Sequence, residues 1–118
     1  LLQDVQFDSS GVKFARYDFD AILTNNGNVF VEQYGNYVKT NIENVDIMET
    51  WNGVIYCASS NCMSIYLNIG NFIKLSKEHI FDGNIKKIVR SKYEIIILAD
   101  CGLYRCDVKE IDTRIIKI

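Results

Sequence analysis

Short clusters of aliphatic and aromatic residues recur about every nine residues along this chain of 118 residues. Each cluster spans three to five residues and is bounded by Gly, Asn, Asp or Ser. No stretch of 11 or more residues carries apolar side chains at the i, i+3, i+4, i+7 spacing of an amphipathic helix. Clusters of this length, with turn residues between them, are typical of antiparallel β-strands. The sequence therefore predicts an all-β protein.

The clusters fall into three cycles of four predicted strands. These strands lie at residues 12–15, 21–23, 29–31, 37–39, 45–48, 54–57, 63–67, 72–75, 85–89, 95–99, 103–106 and 108–111. Residues 114–118 are predicted to be the first strand of a fourth cycle. The three units span about 12–44, 45–84 and 85–113, within one domain of residues 1–118. Hairpins are expected inside each unit, since turn signals such as Asn26-Gly27 separate the strands.

One segment of the chain repeats directly. Gly-Asn-Tyr-Val-Lys at residues 35–39 recurs as Gly-Asn-Phe-Ile-Lys at residues 70–74. Repeats of about 30–40 residues, each with four strands, are typical of radial or threefold β architectures. We therefore predict three four-stranded blade-like repeats of a partial β-propeller. A threefold β-trefoil or β-prism is the alternative, because 12 strands would fill such a fold completely.

The first cycle carries a family resemblance. Residues 21–30 read Ala-Ile-Leu-Thr-Asn-Asn-Gly-Asn-Val-Phe and are followed by Tyr34, Gly35 and Asn36. This run resembles the repeat of the regulator-of-chromosome-condensation type of β-propeller. The resemblance implies the blade architecture. It does not carry over an exchange-factor activity, since the usual His before the second strand and Trp-Gly after the third are missing.

The number of blades bears on function. Propellers close with about four to eight blades, whereas the sequence supplies three. Open sheet faces and edges invite association, so we expect the chain to be a segment of a larger propeller or to have protein partners that complete the ring. This favours a non-catalytic protein–protein interaction or scaffold module, a subunit of a larger assembly. The alternative is a lectin-like carbohydrate-binding module with sites at the comparable turns of Asn25, Asn61 and Asp100.

Aromatic residues are the predicted partner contacts. Tyr17, Trp51 and Tyr93 each fall in the link between the first and second strands of a cycle. In a propeller these links lie on one face of the disc, where Trp and Tyr are effective interface anchors. The alternative is that these side chains pack between neighbouring blades.

Four cysteines form two pairs of equal spacing, Cys57 with Cys62 and Cys101 with Cys106. Three interpretations stay open: reduced thiols that pack like small apolar residues, a four-sulfur zinc site, or a Cys57–Cys62 disulfide. Reduced thiols are favoured, so no metal or other cofactor is expected. The chain has no Asn-x-Ser/Thr sequon, which together with reduced thiols favours an intracellular, cytoplasmic protein.

Other classes of function find little support in the sequence. The single histidine, His79, lies in a predicted loop at residues 76–81, and no nucleophile motif accompanies it, so no enzyme is predicted. Residues 1–59 carry a charge balance of −5 and residues 60–118 a balance of +3. The nearest approach to a basic stripe is Lys86, Lys87, Arg90 and Lys92. It is interpreted as a solvated strand edge, so no nucleic-acid partner is expected. No apolar run approaches the ~20 residues of a membrane helix, and no membrane partner is expected.

Overall fold

The structure, a computed structural model, describes residues 8–16, 21–69, 72–107 and 114–118. All regular secondary structure in these ranges is β-strand. The twelve strands are β1 (Val12–Arg16), β2 (Ala21–Thr24), β3 (Val29–Gln33), β4 (Asn36–Lys39), β5 (Ile47–Trp51), β6 (Val54–Ser59), β7 (Cys62–Ile69), β8 (Phe72–Ile80), β9 (Ile85–Arg90), β10 (Glu94–Ala99), β11 (Gly102–Asp107) and β12 (Ile115–Lys117). Within these ranges there is no helix of the length and hydropathy that crossing a bilayer requires.

The strands form three antiparallel sheets, and within each sheet every strand pairs with its neighbours in the chain. The first sheet contains β1 to β4, the second β5 to β8 and the third β9 to β12. Tight turns permit this order. Asn52 and Gly53 lie between the paired residues Trp51 and Val54, with φ angles of 46° and 83°. Two successive positive φ angles define the type I′ turn, whose twist matches that of the flanking strands.

The three sheets stack face to face in chain order. Along β6, Ile55 and Cys57 belong to the core shared with the first sheet. The intervening Tyr56 and Ala58 belong to the core shared with the third sheet. Successive side chains of a strand point to opposite faces of its sheet. The second sheet is therefore buried on both faces.

Each core is built from the facing side chains of two sheets and from a few residues of the links between strands. The core between the first and second sheets consists of Ala21, Leu23, Val29, Val31, Ile42, Val45, Met48, Ile55 and Cys57. The core between the second and third sheets consists of Tyr56, Ala58, Met63, Ile65, Phe81, Ile85, Ile88, Ile95, Ile97, Ala99 and Cys106. Burial of these aliphatic side chains at about 25 cal/mol per Å² is the main force that holds the sheets together.

The predicted all-β class and the three four-stranded units are confirmed. Each of the first eleven predicted strands overlaps an observed strand, in the predicted order. The strand predicted at 108–111 lies outside the described residues. The prediction that 114–118 opens a fourth cycle is wrong, because β12 pairs with β11 and completes the third sheet. In that pairing Ile115 lies opposite Cys106 and packs against the core.

The predicted loop at residues 76–81 is also wrong. Strand β8 continues to Ile80 and pairs with β7 over its whole length, through a register shift at Ile65 and Tyr66. His79 therefore lies in a strand opposite Met63, and its ring meets the ring of Phe81 edge-on at 4.5 Å. A register shift of this kind inserts an extra residue into one strand, and the bend and twist it adds let pairing continue on both sides of it.

The threefold alternative does not describe this molecule. In a β-prism each of the three sheets would bury one face around a shared centre, and a β-trefoil is built on a closed barrel. Here the described strands form open sheets, and the middle sheet contributes to two separate cores.

Candidate interaction surfaces

The first strands of the three sheets converge on one cleft. Its volume is about 390 Å³. The residues that line it come from β1, β5 and β9 and from their immediate neighbours: Lys13, Phe14, Leu23, Asp46, Ile47, Met48, Lys86, Lys87 and Ile88. We call this the first-strand cleft. Because each of β1, β5 and β9 is an edge strand of its own sheet, side chains from all three sheets reach one place.

Two β-bulges direct lysines to the first-strand cleft. In the first sheet Val12 lies opposite Thr24 and Phe14 lies opposite Leu23, so Lys13 is an extra residue with no partner position. In the third sheet Lys86 is the extra residue, between positions 85 and 87. A bulge breaks the alternation of a strand and re-aims a side chain. In β9 this leaves two successive lysines exposed between buried isoleucines.

The charge of the first-strand cleft is predominantly positive, with three lysines and one aspartate. The Lys86 ammonium lies 3.6 Å from a carboxylate oxygen of Asp100. The carboxylate of Asp46 accepts a hydrogen bond from the backbone N–H of Ser60, at 3.3 Å. Within the described ranges, no ion pair or hydrogen bond is made by the side chains of Lys13 or Lys87.

A second surface is the outer face of the third sheet. Its aliphatic side chains point away from the second sheet and are 40–45% exposed: Val89, Leu98, Leu103 and Ile116. We call these four residues the third-sheet outer face. Pairing across the strands places them on one side, because Leu98 lies opposite Leu103. Arg105 lies on the same face, between Ile96 and Ile116, and forms an ion pair of 3.4 Å with Glu94.

The outer face of the first sheet differs, although Val12 at its edge is 47% exposed. Ile22 and Phe30 lie opposite each other and point away from the core that the first sheet shares with the second. They are nevertheless buried, at 2% and 6% exposure. The stack is therefore asymmetric, since aliphatic and aromatic side chains at the centre of one outer face are buried and those of the other are exposed.

The predicted aromatic contacts are in different environments. Tyr17 lies outside the described residues. Trp51 is the last residue of β5, and it packs partly buried against the core between the second and third sheets. Tyr93 is 44% exposed, and the Lys92 ammonium lies 5.3 Å from the centre of its ring, within range of a cation–π contact. Trp51 thus has a packing role, while Tyr93 is available at the surface.

All four cysteines are free thiols. Cys57 lies in the core between the first and second sheets, and Cys106 lies in the other core. This separation leaves no joint four-sulfur site, and the described residues contain no cluster of three or more His, Cys, Asp or Glu suited to a metal ion. Burial raises the pKa of Cys57 to about 12. The pKa of Cys101 is lowered, chiefly by a hydrogen bond with the Tyr104 hydroxyl, which lies 3.2 Å from its sulfur.

The turn residues of the lectin alternative make internal contacts. The Asn25 side-chain amide donates to the backbone carbonyl of Ser10 at 2.7 Å. The Asn61 amide donates to the carbonyl of Phe81 at 3.3 Å. Asp100 forms its ion pair with Lys86. These contacts give the three residues structural roles in their turns.

The sequence-based prediction overlooked Lys13 and treated Lys86 and Lys87 as part of a solvated edge. One signal was present in the sequence, because Ile-Lys-Lys-Ile at residues 85–88 breaks the alternation of a strand. No comparable signal marks Lys13, since its bulge depends on the pairing with β2. Comparison with protein-family models, with curated proteins and with solved structures finds no match for the chain.

Proposed function

We propose that the chain is a propeller-like, non-catalytic protein-interaction module and a subunit of a larger assembly. The resemblance of residues 21–30 to the repeat of the regulator-of-chromosome-condensation type is the basis for the propeller-like part of this proposal. The observation that carries the proposal is the open third-sheet outer face. In repeat proteins a terminal unit with nothing stacked on it normally has a polar outer face. Here that face presents four aliphatic side chains at 40–45% exposure.

The occupant that fits this face is an aliphatic β-sheet face of a partner protein. The third sheet already binds a sheet in this way on its inner side, where Ile95 and Ile97 are fully buried against the second sheet. Stacking a further sheet on Leu98 and Leu103 would repeat that contact. Exposed aliphatic side chains interspersed with charged ones, here Arg105 and Lys87, are suited to a protein–protein contact.

The asymmetry of the stack argues against a ring made of identical copies. Such a ring needs the open face of one copy to bind the opposite outer face of the next. That opposite face is the one on which Ile22 and Phe30 are already buried. A different protein is therefore the proposed partner.

The remaining features agree with a non-catalytic role in a reducing compartment. His79 packs against Phe81, and the raised pKa of Cys57 keeps that thiol neutral at physiological pH. Four free thiols support an intracellular location, since oxidising compartments favour disulfides.

The test is a photo-crosslinking experiment in the cells that make the protein. A benzophenone amino acid replaces Leu98, and in a control it replaces Val38, which is similarly exposed at 42% on β4. We expect an adduct with a partner protein from position 98 and none from position 38. We also expect Leu98→Lys, but not Val38→Lys, to reduce the size of the native complex.

Two results would overturn the proposal. One is an unchanged complex in the Leu98→Lys variant, with no adduct at position 98. The other is dimerisation of the purified chain that Leu98→Lys abolishes, because the occupant would then be a second copy.

A further inference from the structure

We infer that the first-strand cleft binds a short acidic peptide segment, with the carboxylates at Lys13 and Lys87 and an apolar side chain on the floor. The inference deepens the proposed function and rests on it, since the ligand is then part of a protein partner. The cleft adjoins the third-sheet outer face at Lys87, which lies opposite Leu98, so the two are tested separately with a variant that lies far from this pair.

The shape of the cleft is suited to a small ligand. Its volume of about 390 Å³ falls in the range of roughly 300–1,000 Å³ that is typical of ligand pockets. Five of its nine lining residues are apolar: Phe14, Leu23, Ile47, Met48 and Ile88. Met48 and Ile88 are also members of the two cores, which makes the floor rigid. A rigid floor lowers the entropic cost of binding.

The bulges are the second, independent observation. Regular pairing of β1 with β2 would leave no place for Lys13, and regular pairing of β9 with β10 would leave none for Lys86. Both sheets depart from regular pairing next to the same cleft, and in both the extra residue is a lysine. Bulges are enriched beside functional sites, where they re-aim side chains. They also disturb the edge of a sheet, so recognition here relies on side chains more than on added strand pairing.

The electrostatics select an anionic ligand. The chain as a whole has a net charge of −2, yet the cleft contains three lysines and one aspartate. Asp100 partly neutralises Lys86. Lys13 and Lys87 make no ion pair or hydrogen bond to the rest of the described chain, so their charges are available to an incoming carboxylate.

A peptide fits these features better than a nucleic acid. Single-stranded nucleic acid needs a basic groove that follows several phosphates and aromatic platforms on which bases stack. The lining of the cleft offers one aromatic side chain, Phe14, and is otherwise aliphatic apart from its charged groups. A peptide with alternating acidic and apolar residues could place its carboxylates beside the lysines and its apolar side chains against the floor of the cleft.

Fluorescence anisotropy tests the inference directly. The probe is the fluorescein-labelled peptide Gly-Asp-Leu-Asp-Phe-Glu-Gly, and its neutral counterpart carries Asn and Gln at the acidic positions. A single-stranded oligothymidylate represents nucleic acid. We expect the purified chain to bind the acidic peptide at least about tenfold more tightly than the neutral peptide, with affinity that falls as salt rises. We expect the oligothymidylate to bind more weakly than the acidic peptide.

Variants locate the site. In Lys13→Gln/Lys87→Gln, affinity for the acidic peptide should fall about tenfold, because two favourable charge contacts are lost. Lys74→Gln is the matched control, since Lys74 is exposed on β8 and away from the cleft. Its affinity should stay within about twofold of the original. Circular dichroism confirms that each variant is folded.

Equal affinity for the acidic and neutral peptides would overturn the inference, and so would equal losses in the two variants or tighter binding of the oligothymidylate. Leu98 lies opposite Lys87 in the pairing of β10 with β9, so the variant that separates this result from the proposed function is Ile116→Lys. Ile116 lies on β12, at the opposite edge of the third sheet from β9, and we expect Ile116→Lys to reduce the size of the native complex and to leave peptide binding intact. If this variant loses the complex and still binds the acidic peptide, both the proposed function and the peptide site are supported. If it loses the complex and neither it nor the unmodified chain binds the peptide, only the proposed contact of the third-sheet outer face is supported.

Discussion

Two buried threonines show how hydrogen bonding decides whether a buried hydroxyl stabilises or destabilises the fold. Thr24 and Thr50 are both fully buried in strands. The Thr24 hydroxyl donates a hydrogen bond to Asp8 and accepts one from the backbone N–H of Asn28 at 3.2 Å. The Thr50 hydroxyl has no hydrogen-bond partner among the residues that the structure describes. A buried polar group without a partner costs about 1–3 kcal/mol.

The two threonines therefore give a matched prediction. Thr50→Val should raise the free energy of unfolding by about 1 kcal/mol, because a desolvated hydroxyl is replaced by a methyl group of similar size. Thr24→Val should lower it by about 1–3 kcal/mol, since Asp8 and Asn28 lose a partner. Urea unfolding followed by tryptophan fluorescence measures both. A loss of stability in Thr50→Val would show that its hydroxyl is satisfied.

The carboxylate of Asp8 predicts a pH dependence. Its pKa is lowered from 3.8 to about 2, chiefly by hydrogen bonds from Ser10 and Thr24 and further by the amide of Asn28. A lowered pKa in the folded state means that the ionised carboxylate stabilises the fold. That contribution is complete above about pH 4 and is lost as the pH falls through about 2.

Asp8→Asn is therefore expected to be less stable than the original protein at neutral pH. Its stability should equal that of the original protein at about pH 2 and below. Thermal unfolding across the acid range measures the difference between the two. A difference in stability that does not change with pH would contradict the assignment.

At the level of elements, the strands were predictable but their pairing was less so. Eleven of the twelve strands predicted in the three cycles overlap observed strands, because apolar residues between turn signals identify a strand without tertiary information. The role of β12 and the length of β8 were mispredicted, because both depend on how the strand pairs with the one before it and not on its own apolar pattern. The same is true of the first-strand cleft, in which Lys13 becomes prominent only through its register against β2.

One turn also connects two sheets. Gly27 closes the turn between β2 and β3 with a φ of 86°, and its carbonyl accepts a hydrogen bond from the Val45 N–H at 3.1 Å. A Cβ at Gly27 would lie 3.0 Å from that nitrogen. The turn therefore needs glycine both for its φ angle and for its close approach to the second unit.

Gly27→Ala should lower the free energy of unfolding by about 2–4 kcal/mol, from an unfavourable φ and a backbone clash. Gly35→Ala is the control, because Gly35 has a φ of 83° and a Cβ added there would meet nothing within 4 Å. It should lose only about 1 kcal/mol. Urea unfolding measures the loss of unfolding free energy in both variants. Equal losses would argue against a backbone clash at Gly27.

For the whole molecule, the order of the sheets predicts a gradient of stability. The second sheet is buried on both faces, and it connects the two cores. Amide hydrogen exchange reports the free energy of local opening. We expect the slowest exchange in β6, at the centre of the stack, and faster exchange in β4 and β12, which are edge strands with mostly exposed side chains. Slowest exchange in the third sheet would contradict this order.

Three repeated units were predictable from the sequence, whereas the difference between the two ends of the stack was not. Leu98 and Leu103 read as ordinary strand residues in the sequence, since nothing local shows which side of a sheet another sheet will cover. Ile22 and Phe30 read in the same way, yet they are buried. Which faces are open is a property of the complete fold.

A stack of sheets whose apolar side chains are buried at one end and exposed at the other has a direction. It can add to something else once, in one orientation, and then offers no second attachment point of the same kind. Under the proposed function, such a unit would terminate an assembly and would not propagate it. The burial of Ile22 and Phe30 would then prevent a further sheet from stacking on the first one.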